Sequence, residues 1–225
     1  MLQRGIRKTS SQLIYESIKD DIIFLRMKPG EEISIQALSE KLEVSRSPIR
    51  DALMKLQSEA LVEMLPQRGC WVSKIDLDRV KEERLLRVAL ERSVLESFNT
   101  PIKESEIAKL EYFLALQKEA VEEGNSMAFY SADDSMHAVY FEVAGLTRFW
   151  ELLMKETGNY RRIRLLSFDA EGVARKNIEQ HQSLVAALAK GDFADASKII
   201  GEHLAKLSFE KDAIVKVHPD YFVRG

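Results

Sequence analysis

Val44-Ser45-Arg46-Ser47-Pro48-Ile49-Arg50-Asp51-Ala52-Leu53-Met54-Lys55-Leu56 is the stretch on which the reading of this chain turns. Ile49, Ala52, Leu53 and Leu56 recur at i, i+3, i+4 and i+7, which makes one apolar helix face. Arg46 and Arg50 stand one turn apart on another face, with Ser47 close by. Ser45 is placed to cap the helix, because its hydroxyl accepts a backbone N–H of the first turn. Pro48 then falls at about the third helical position, where its missing N–H removes no intrahelical bond. Two permanently charged forks at the start of a seated helix suit guanine edges and phosphates in a major groove. Taken alone, the helix reads equally as an amphipathic helix whose arginines are merely solvated.

The flanking sequence adds the rest of a motif. Upstream, Ser10 or Ser11 caps a helix carrying Ile14, Ile18, Ile22 and Leu25, stopped at Lys28-Pro29-Gly30. Ser34 caps a second short helix with Ile35, Leu38 and Leu42 on one side, and Glu43-Val44 makes a tight connection. That order is a helix-turn-helix. Downstream, Leu61–Leu65 and Cys70–Val72 are strand-like runs joined by Pro66-Gln67-Arg68-Gly69. This hairpin has the parts of a wing, in which Gly69 permits close approach to DNA and Arg68 supplies charge. The basic Met1–Thr9 segment lacks periodicity and is expected to be a mobile arm.

Composition fits a globular protein: 225 residues, 45% hydrophobic and 31% charged. Up to Ile75 there are 12 basic against 10 acidic residues, and beyond it 21 against 26, so the net charge of −3 hides a mildly basic first part. That sign suits a nucleic-acid module joined to an acidic partner domain. No apolar run reaches the roughly 18 residues that span a bilayer, and no signal core opens the chain. The single Cys70 forms no internal disulfide, so a cytoplasmic location is expected.

From Asp76 to about Lys211 the pattern is helical throughout. Breaks at Thr100-Pro101, Gly124-Asn125, Gly145, about Glu171 and Gly191-Asp192 divide it into six helices, which predicts an antiparallel bundle. The third predicted helix spans about Ser126 to Ala144 and the fourth about Thr147 to Ser167. The expected organisation is therefore a mainly α chain. Residues 1–75 form a winged helix-turn-helix with a β-hairpin wing, 76–212 an all-helical ligand-binding and dimerisation domain, and 213–225 a tail. Three of the four histidines, His137, His181 and His203, lie within these helices. Asp133 is one turn before His137, with Asp134 as a competing carboxylate. Imidazole and carboxylate together suit a divalent first-row metal, and a bundle core is a usual place for one.

The first part resembles the winged helix of the GntR-family bacterial regulators. The match runs through Lys28-Pro29-Gly30-Glu31, Leu38-Ser39-Glu40-Lys41-Leu42, Val44–Leu53 and Arg68-Gly69. The resemblance implies that Ser45, Arg46, Ser47 and Arg50 contact DNA and that Gly69 sits at the wing tip, beside Arg68. Two departures stand out: Gln36 occupies a position where many members carry arginine, and Ala60 one usually held by glycine. The second part resembles the FadR-type branch with its all-helical FCD effector domain, through Asp133 with His137, Glu179-Gln180-His181, Gly191-Asp192, Ala196 and His203-Leu204. A metal-binding subset of that branch places an Asp and three His at these positions, which implies Asp133, His137, His181 and His203 as ligands of a divalent ion. Zinc is the leading choice, with nickel and manganese as alternatives.

Three imidazoles and a carboxylate leave two places open on an octahedral ion, for water or a small carboxylate effector. Arg87 resembles an arginine recurring on this helix in the family and would complete an acid clamp; otherwise it pairs with Glu91 at i+4. Arg161, Arg162 and Arg164 are further candidates. The expected function is a transcriptional repressor that binds a double-stranded operator as a homodimer, under control of an organic acid, with no membrane role. The competing readings are a hydrolase using the same four ligands and a module with a purely structural metal. No HExxH motif or nucleophile elbow supports the enzyme.

Overall fold

A computed structural model describes residues 10–168, 172–205 and 207–223, so the predicted N-terminal arm lies outside the described residues. The chain divides into two compact units, one ending at Asp76 and rejoined from His218 on, the other running from Leu77 to Val217.

In the first unit, α1 (Ser10–Ile23), α2 (Ile35–Leu42) and α3 (Arg46–Ser58) are followed by the antiparallel strands β1 (Val62–Leu65) and β2 (Gly69–Val72). The apolar spacing decides which faces meet. Ile14, Ile18 and Ile22 of α1 are buried against Ile49, Ala52, Leu53 and Leu56 of α3, with Leu61, Val62 and Val72 closing the core. Each such aliphatic side chain contributes roughly 1.5–3 kcal/mol when fully buried. Cys70 lies in the same core, and burial pushes its thiol up to about 11, so it remains protonated.

Two features of this unit were not legible in the sequence. Segment 30–33 runs beside β2: Gly30 and Ile33 N–H groups donate to Val72 and Cys70 carbonyls at 2.8 and 2.7 Å. The chain end also returns, where Ile75 N–H donates to the Tyr221 carbonyl at 2.8 Å and Val223 N–H to that of Ile75 at 3.0 Å.

The second unit contains α4 (Leu77–Glu96), α5 (Glu104–Glu122), α6 (Ser126–Val143), α7 (Thr147–Glu156), α8 (Gly158–Ser167), α9 (Val173–Lys190), α10 (Phe193–Ala205) and α11 (Leu207–Val217). A mainly α fold with a winged helix and a helical bundle therefore holds, with a finer division than the six predicted helices. The expected fourth helix is two. Thr157 leaves helical geometry at φ −111°, ψ 35°, and its hydroxyl donates to the Leu153 carbonyl at 2.5 Å, competing with the helix ladder. Glu83 then receives the new N-terminus of α8, accepting from Tyr160 N–H at 2.8 Å and from Asn159 Nδ2 at 2.9 Å. The tail expected from 213 is also shorter, because α11 continues to Val217.

The bundle core gathers Leu95, Leu110, Met136, Tyr140, Phe141, Leu153, Leu184, Leu188, Ile200 and Leu204. Helix α4 packs against α8 and α10, α9 against α5 and α10, and α5 against α6. Residues on these helices therefore face one interior.

Candidate metal centre and DNA-reading surface

Burial of the apolar face of α3 leaves Ser45, Arg46, Ser47 and Arg50 exposed at its start. Ser45 occupies the N-cap position with extended backbone, but its side chain makes no capping hydrogen bond, contrary to expectation. The exposed start of the helix thus offers first-turn backbone N–H groups, a hydroxyl and two arginines, which suits a phosphate. Gln36 on α2 accepts a hydrogen bond from Arg46 and itself donates to Glu40. This residue in place of an arginine therefore tethers Arg46.

At the wing, Leu65 pairs with Gly69, and Arg68 is exposed at the tip. Gly69 has φ +133°, and a Cβ there would lie 3.0 Å from the Trp71 ring, so only glycine fits. Ala60, before the wing, holds φ 55° in a region that glycine enters without cost.

In the bundle, the structure brings Asp133 and His137 of α6 together with His181 of α9 and His203 of α10. One ligand atom from each lies within 4.8 Å of all the others, and all four residues are buried. The Nε2 atom of His181 is 3.4 Å from that of His137 and 3.3 Å from that of His203. Asp133 reaches them with Oδ1 at 3.6 Å from His181 Nε2 and Oδ2 at 3.8 Å from His137 Nε2.

The outer partners fix what these nitrogens carry. His137 Nδ1–H donates to Glu91 Oε2 at 2.7 Å, His181 Nδ1–H to Gln117 Oε1 at 2.6 Å and His203 Nδ1–H to Gln180 Oε1 at 3.0 Å. Each acceptor holds the proton on Nδ1 and turns an Nε2 lone pair inward. Three lone pairs facing one another repel unless a cation lies among them. Burial also pushes His181 down to about 3, which keeps it neutral as a ligand must be. Asp133 Oδ1, buried with no hydrogen-bond partner among the described residues, adds a fourth inward donor atom. Ion–nitrogen distances of about 2.0–2.1 Å set neighbouring donors roughly 3.0–3.4 Å apart, so the two imidazole spacings fit a divalent ion. The residues present can hold a metal.

Around this centre lie paired charges. Arg164 donates to Asp133 and, at 3.0 Å, to Asp134 Oδ1, while Arg161 Nε donates to Asp134 Oδ2 at 3.2 Å. Asp134 is thereby committed to arginines, and Asp133 is the carboxylate that faces the histidines. Burial opposes ionisation of both acids, but the surrounding cations outweigh it and hold both carboxyls below the usual range. Glu91 is also held low, against burial, by His137 and Arg87. Arg87 is fully buried, and its Nε donates to Glu91 Oε1 at 2.5 Å, so the i,i+4 pair exists. Yet its Nη1 and Nη2 have no hydrogen-bond partner among the described residues. Arg162 donates to Asn159 Oδ1 at 2.8 Å.

A family model for bacterial regulatory proteins of the gntR family matches residues 10–72, and one for the FCD domain matches residues 84–206. The chain belongs to the GntR regulators with an FCD domain. It is 29% identical over 212 residues to the HTH-type transcriptional repressor RspR of Escherichia coli, covering 94% of this chain and 93% of that one. It is 27% identical over 179 residues to the Nta operon transcriptional regulator of Aminobacter aminovorans, covering 80% and 83%. Two solved structures share the fold. A GntR transcriptional regulator from Rhodococcus sp. RHA1 has a TM-score of 0.76 at 20% identity, over 95% of this chain and all of that one. McbR/YncC of E. coli has a TM-score of 0.78 at 17% identity, over 94% of this chain.

GntR regulators bind DNA operators and small-molecule effectors, and they are transcription factors rather than enzymes. Among the described residues no helix is long and apolar enough to cross a membrane. Sequence reasoning missed Glu91, Gln117 and Gln180, and Tyr140 with its hydroxyl 2.6 Å from His137 Nδ1, as the partners that orient the imidazoles. Glu91 was visible only as the i+4 neighbour of Arg87. Nothing in the sequence ranked Arg164 above its neighbours.

Proposed function

We propose that this GntR regulator is a homodimeric, metal-dependent repressor whose operator binding responds to a small carboxylate. The observation that carries this reading is the set of buried, unpartnered polar atoms at one place. Asp133 Oδ1 lies with three inward imidazole nitrogens, while both terminal nitrogens of Arg87 lack hydrogen-bond partners among the described residues. Leaving such groups unsatisfied is costly, so a site that retains them is suited to a ligand that satisfies them. Asp133, His137, His181 and His203 would hold the ion, with zinc first and nickel or manganese as the other ions this donor set accepts. When bound, the ion supplies a Lewis-acid site for an anionic oxygen. Arg87 binds the same effector by charge-assisted hydrogen bonds.

Helix α4 gives the signal a route. It begins directly after the DNA-binding unit and carries Glu83, Arg87 and Glu91 on its buried face. A ligand that pulls on Arg87 therefore acts on the helix that joins sensor to reader, and such coupling is typically about 1–3 kcal/mol. Ser45, Arg46, Ser47 and Arg50 read the operator, with Arg68 and Gly69 at the wing. The repressor role is supported by RspR, and the homodimer by exposed Leu85 on α4 and Phe149 and Leu152 on neighbouring α7.

The test removes the ion. Purified protein contains a divalent metal by elemental analysis, and His181→Ala loses most of it. A chelator abolishes the thermal stabilisation produced by small carboxylates and restores or releases operator binding. Stabilisation that survives complete stripping overturns the metal-dependent reading.

A further inference from the structure

We propose that Gln36 is a positioning residue for operator reading: it holds one Nη2 hydrogen of Arg46 and leaves that guanidinium a single complete fork for a guanine. The inference rests on Arg46 as a reader of the operator, as proposed above, and adds what sets its selectivity.

The backbone places Gln36 within reach. Helix α2 is capped by Ser34, whose hydroxyl accepts from Ala37 N–H, and its Ile35, Leu38 and Leu42 pack on the core that seats α3. Glu43 ends it in a left-handed conformation at φ 52°. Val44 N–H then donates to the Ser39 carbonyl at 3.2 Å, and Ser39 Oγ–H donates to the Val44 carbonyl at 2.6 Å. Ser39 thus ties the last turn of α2 to Val44, two residues before α3 begins. Gln36 and Glu40 stand one turn apart on the exposed side of α2, and Gln36 meets Arg46 at the start of α3.

Hydrogen-bond roles then fix the amide. Arg46 Nη2 donates to Gln36 Oε1, and Gln36 Nε2 donates to Glu40 Oε1. A guanidinium only donates and a carboxylate only accepts, so both neighbours demand the same orientation of the Gln36 amide. An arginine at this position only donates and cannot hold Arg46 in this way, so the departure at Gln36 is what creates the unit. Nη2 belongs to both two-pronged edges of the guanidinium, one shared with Nη1 and one with Nε. Giving one of its two hydrogens to Gln36 leaves one edge complete. A bidentate contact to guanine O6 and N7 needs a complete edge, whereas a phosphate accepts from any N–H. A side chain already held also loses less rotamer freedom on binding. Gln36 therefore acts on base choice and not on attraction to the DNA backbone.

Selection from a random-sequence duplex pool by the full chain, repeated with Arg46→Ala, identifies the guanine that Arg46 reads in each half-site. Anisotropy titrations then compare duplexes carrying each possible base pair there. Gln36→Leu is expected to lower the preference for guanine about fivefold or more, the lower end of what a bidentate arginine contributes. Its melting temperature and the salt dependence of its binding to unrelated DNA stay unchanged. Glu40→Lys, which donates and so turns the amide over, lowers the preference likewise although it adds positive charge. Glu40→Gln, whose carbonyl still accepts, keeps it. A guanine preference retained in Gln36→Leu or in Glu40→Lys overturns the positioning role while Arg46 remains a reader. A loss spread evenly over all sequences overturns it too, as the mark of a merely structural residue. If Arg46→Ala relaxes no guanine position, Arg46 is not a reader and the reading beneath falls as well.

Discussion

The two units of this regulator handle charge in opposite ways. The residues assigned to DNA reading, Ser45, Arg46, Ser47, Arg50 and Arg68, are all exposed on an apolar-backed scaffold. The residues around the candidate metal centre, Arg87, Glu91, Asp133, His137 and His181, are fully buried, and His203 nearly so. An exposed guanidinium keeps its hydration and contributes little to folding, so the reading surface is free to change without loss of the fold. A buried one must be paired in the folded chain, so this cluster is part of the bundle's stability. Recognition and folding are separable in the first unit and inseparable in the second.

The largest test of that contrast removes one buried partner. Glu91→Ala leaves Arg87 without its ion pair and His137 without its acceptor, and is expected to cost about 3–5 kcal/mol of stability by chemical denaturation. A loss below about 1 kcal/mol would show that the buried charges are not structural.

Acid should expose the same difference. In the metal-free protein, burial holds His181 at about 3, below its ordinary 6.5, so the unfolded chain binds a proton that the folded chain refuses. Stability therefore falls as pH drops from 6.5 toward 3, and the depressed carboxyls of Glu91, Asp133 and Asp134 add to the loss below their ordinary 4.5 and 3.8. Denaturation midpoints at pH 7.5, 6 and 5 check this, and His181→Gln flattens the part of the slope above pH 5.

Arg46→Ala is expected to leave stability within about 0.5 kcal/mol while costing about 1–3 kcal/mol of discrimination between operator and unrelated DNA. Unchanged discrimination in a binding assay removes Arg46 from the reading surface. The smallest effect is expected at Ala60, whose left-handed backbone suits glycine; Ala60→Gly should stabilise the winged helix by about 0.5 kcal/mol, and a lower melting temperature would contradict it.

How much of this was legible differs by element. Helix α3 announced its buried face because Ile49, Ala52, Leu53 and Leu56 are apolar at helical spacing. Ser34 fulfilled its capping role, accepting from Ala37 N–H at 3.1 Å, whereas Ser45 took the position without the bond. Helix α4 hid its buried face, since Glu83, Arg87 and Glu91 are charged and a hydropathy pattern assigns such residues to solvent. The break at Thr157 was equally hidden, because Glu83, 77 residues before Tyr160, receives the N-terminus of α8.

The sequence by itself determined most of the elements, the winged-helix motif and the residue types of the candidate metal set, because periodicity, caps and motif spacing act over a few residues. Only the tertiary structure decided which groups meet. It turned three imidazoles inward through Glu91, Gln117 and Gln180, committed Asp134 to Arg161 and Arg164, and left two nitrogens of Arg87 without hydrogen-bond partners among the described residues. Burial and partners from distant helices set hydrogen bonding and charge state, and neither can be read along a single stretch of chain.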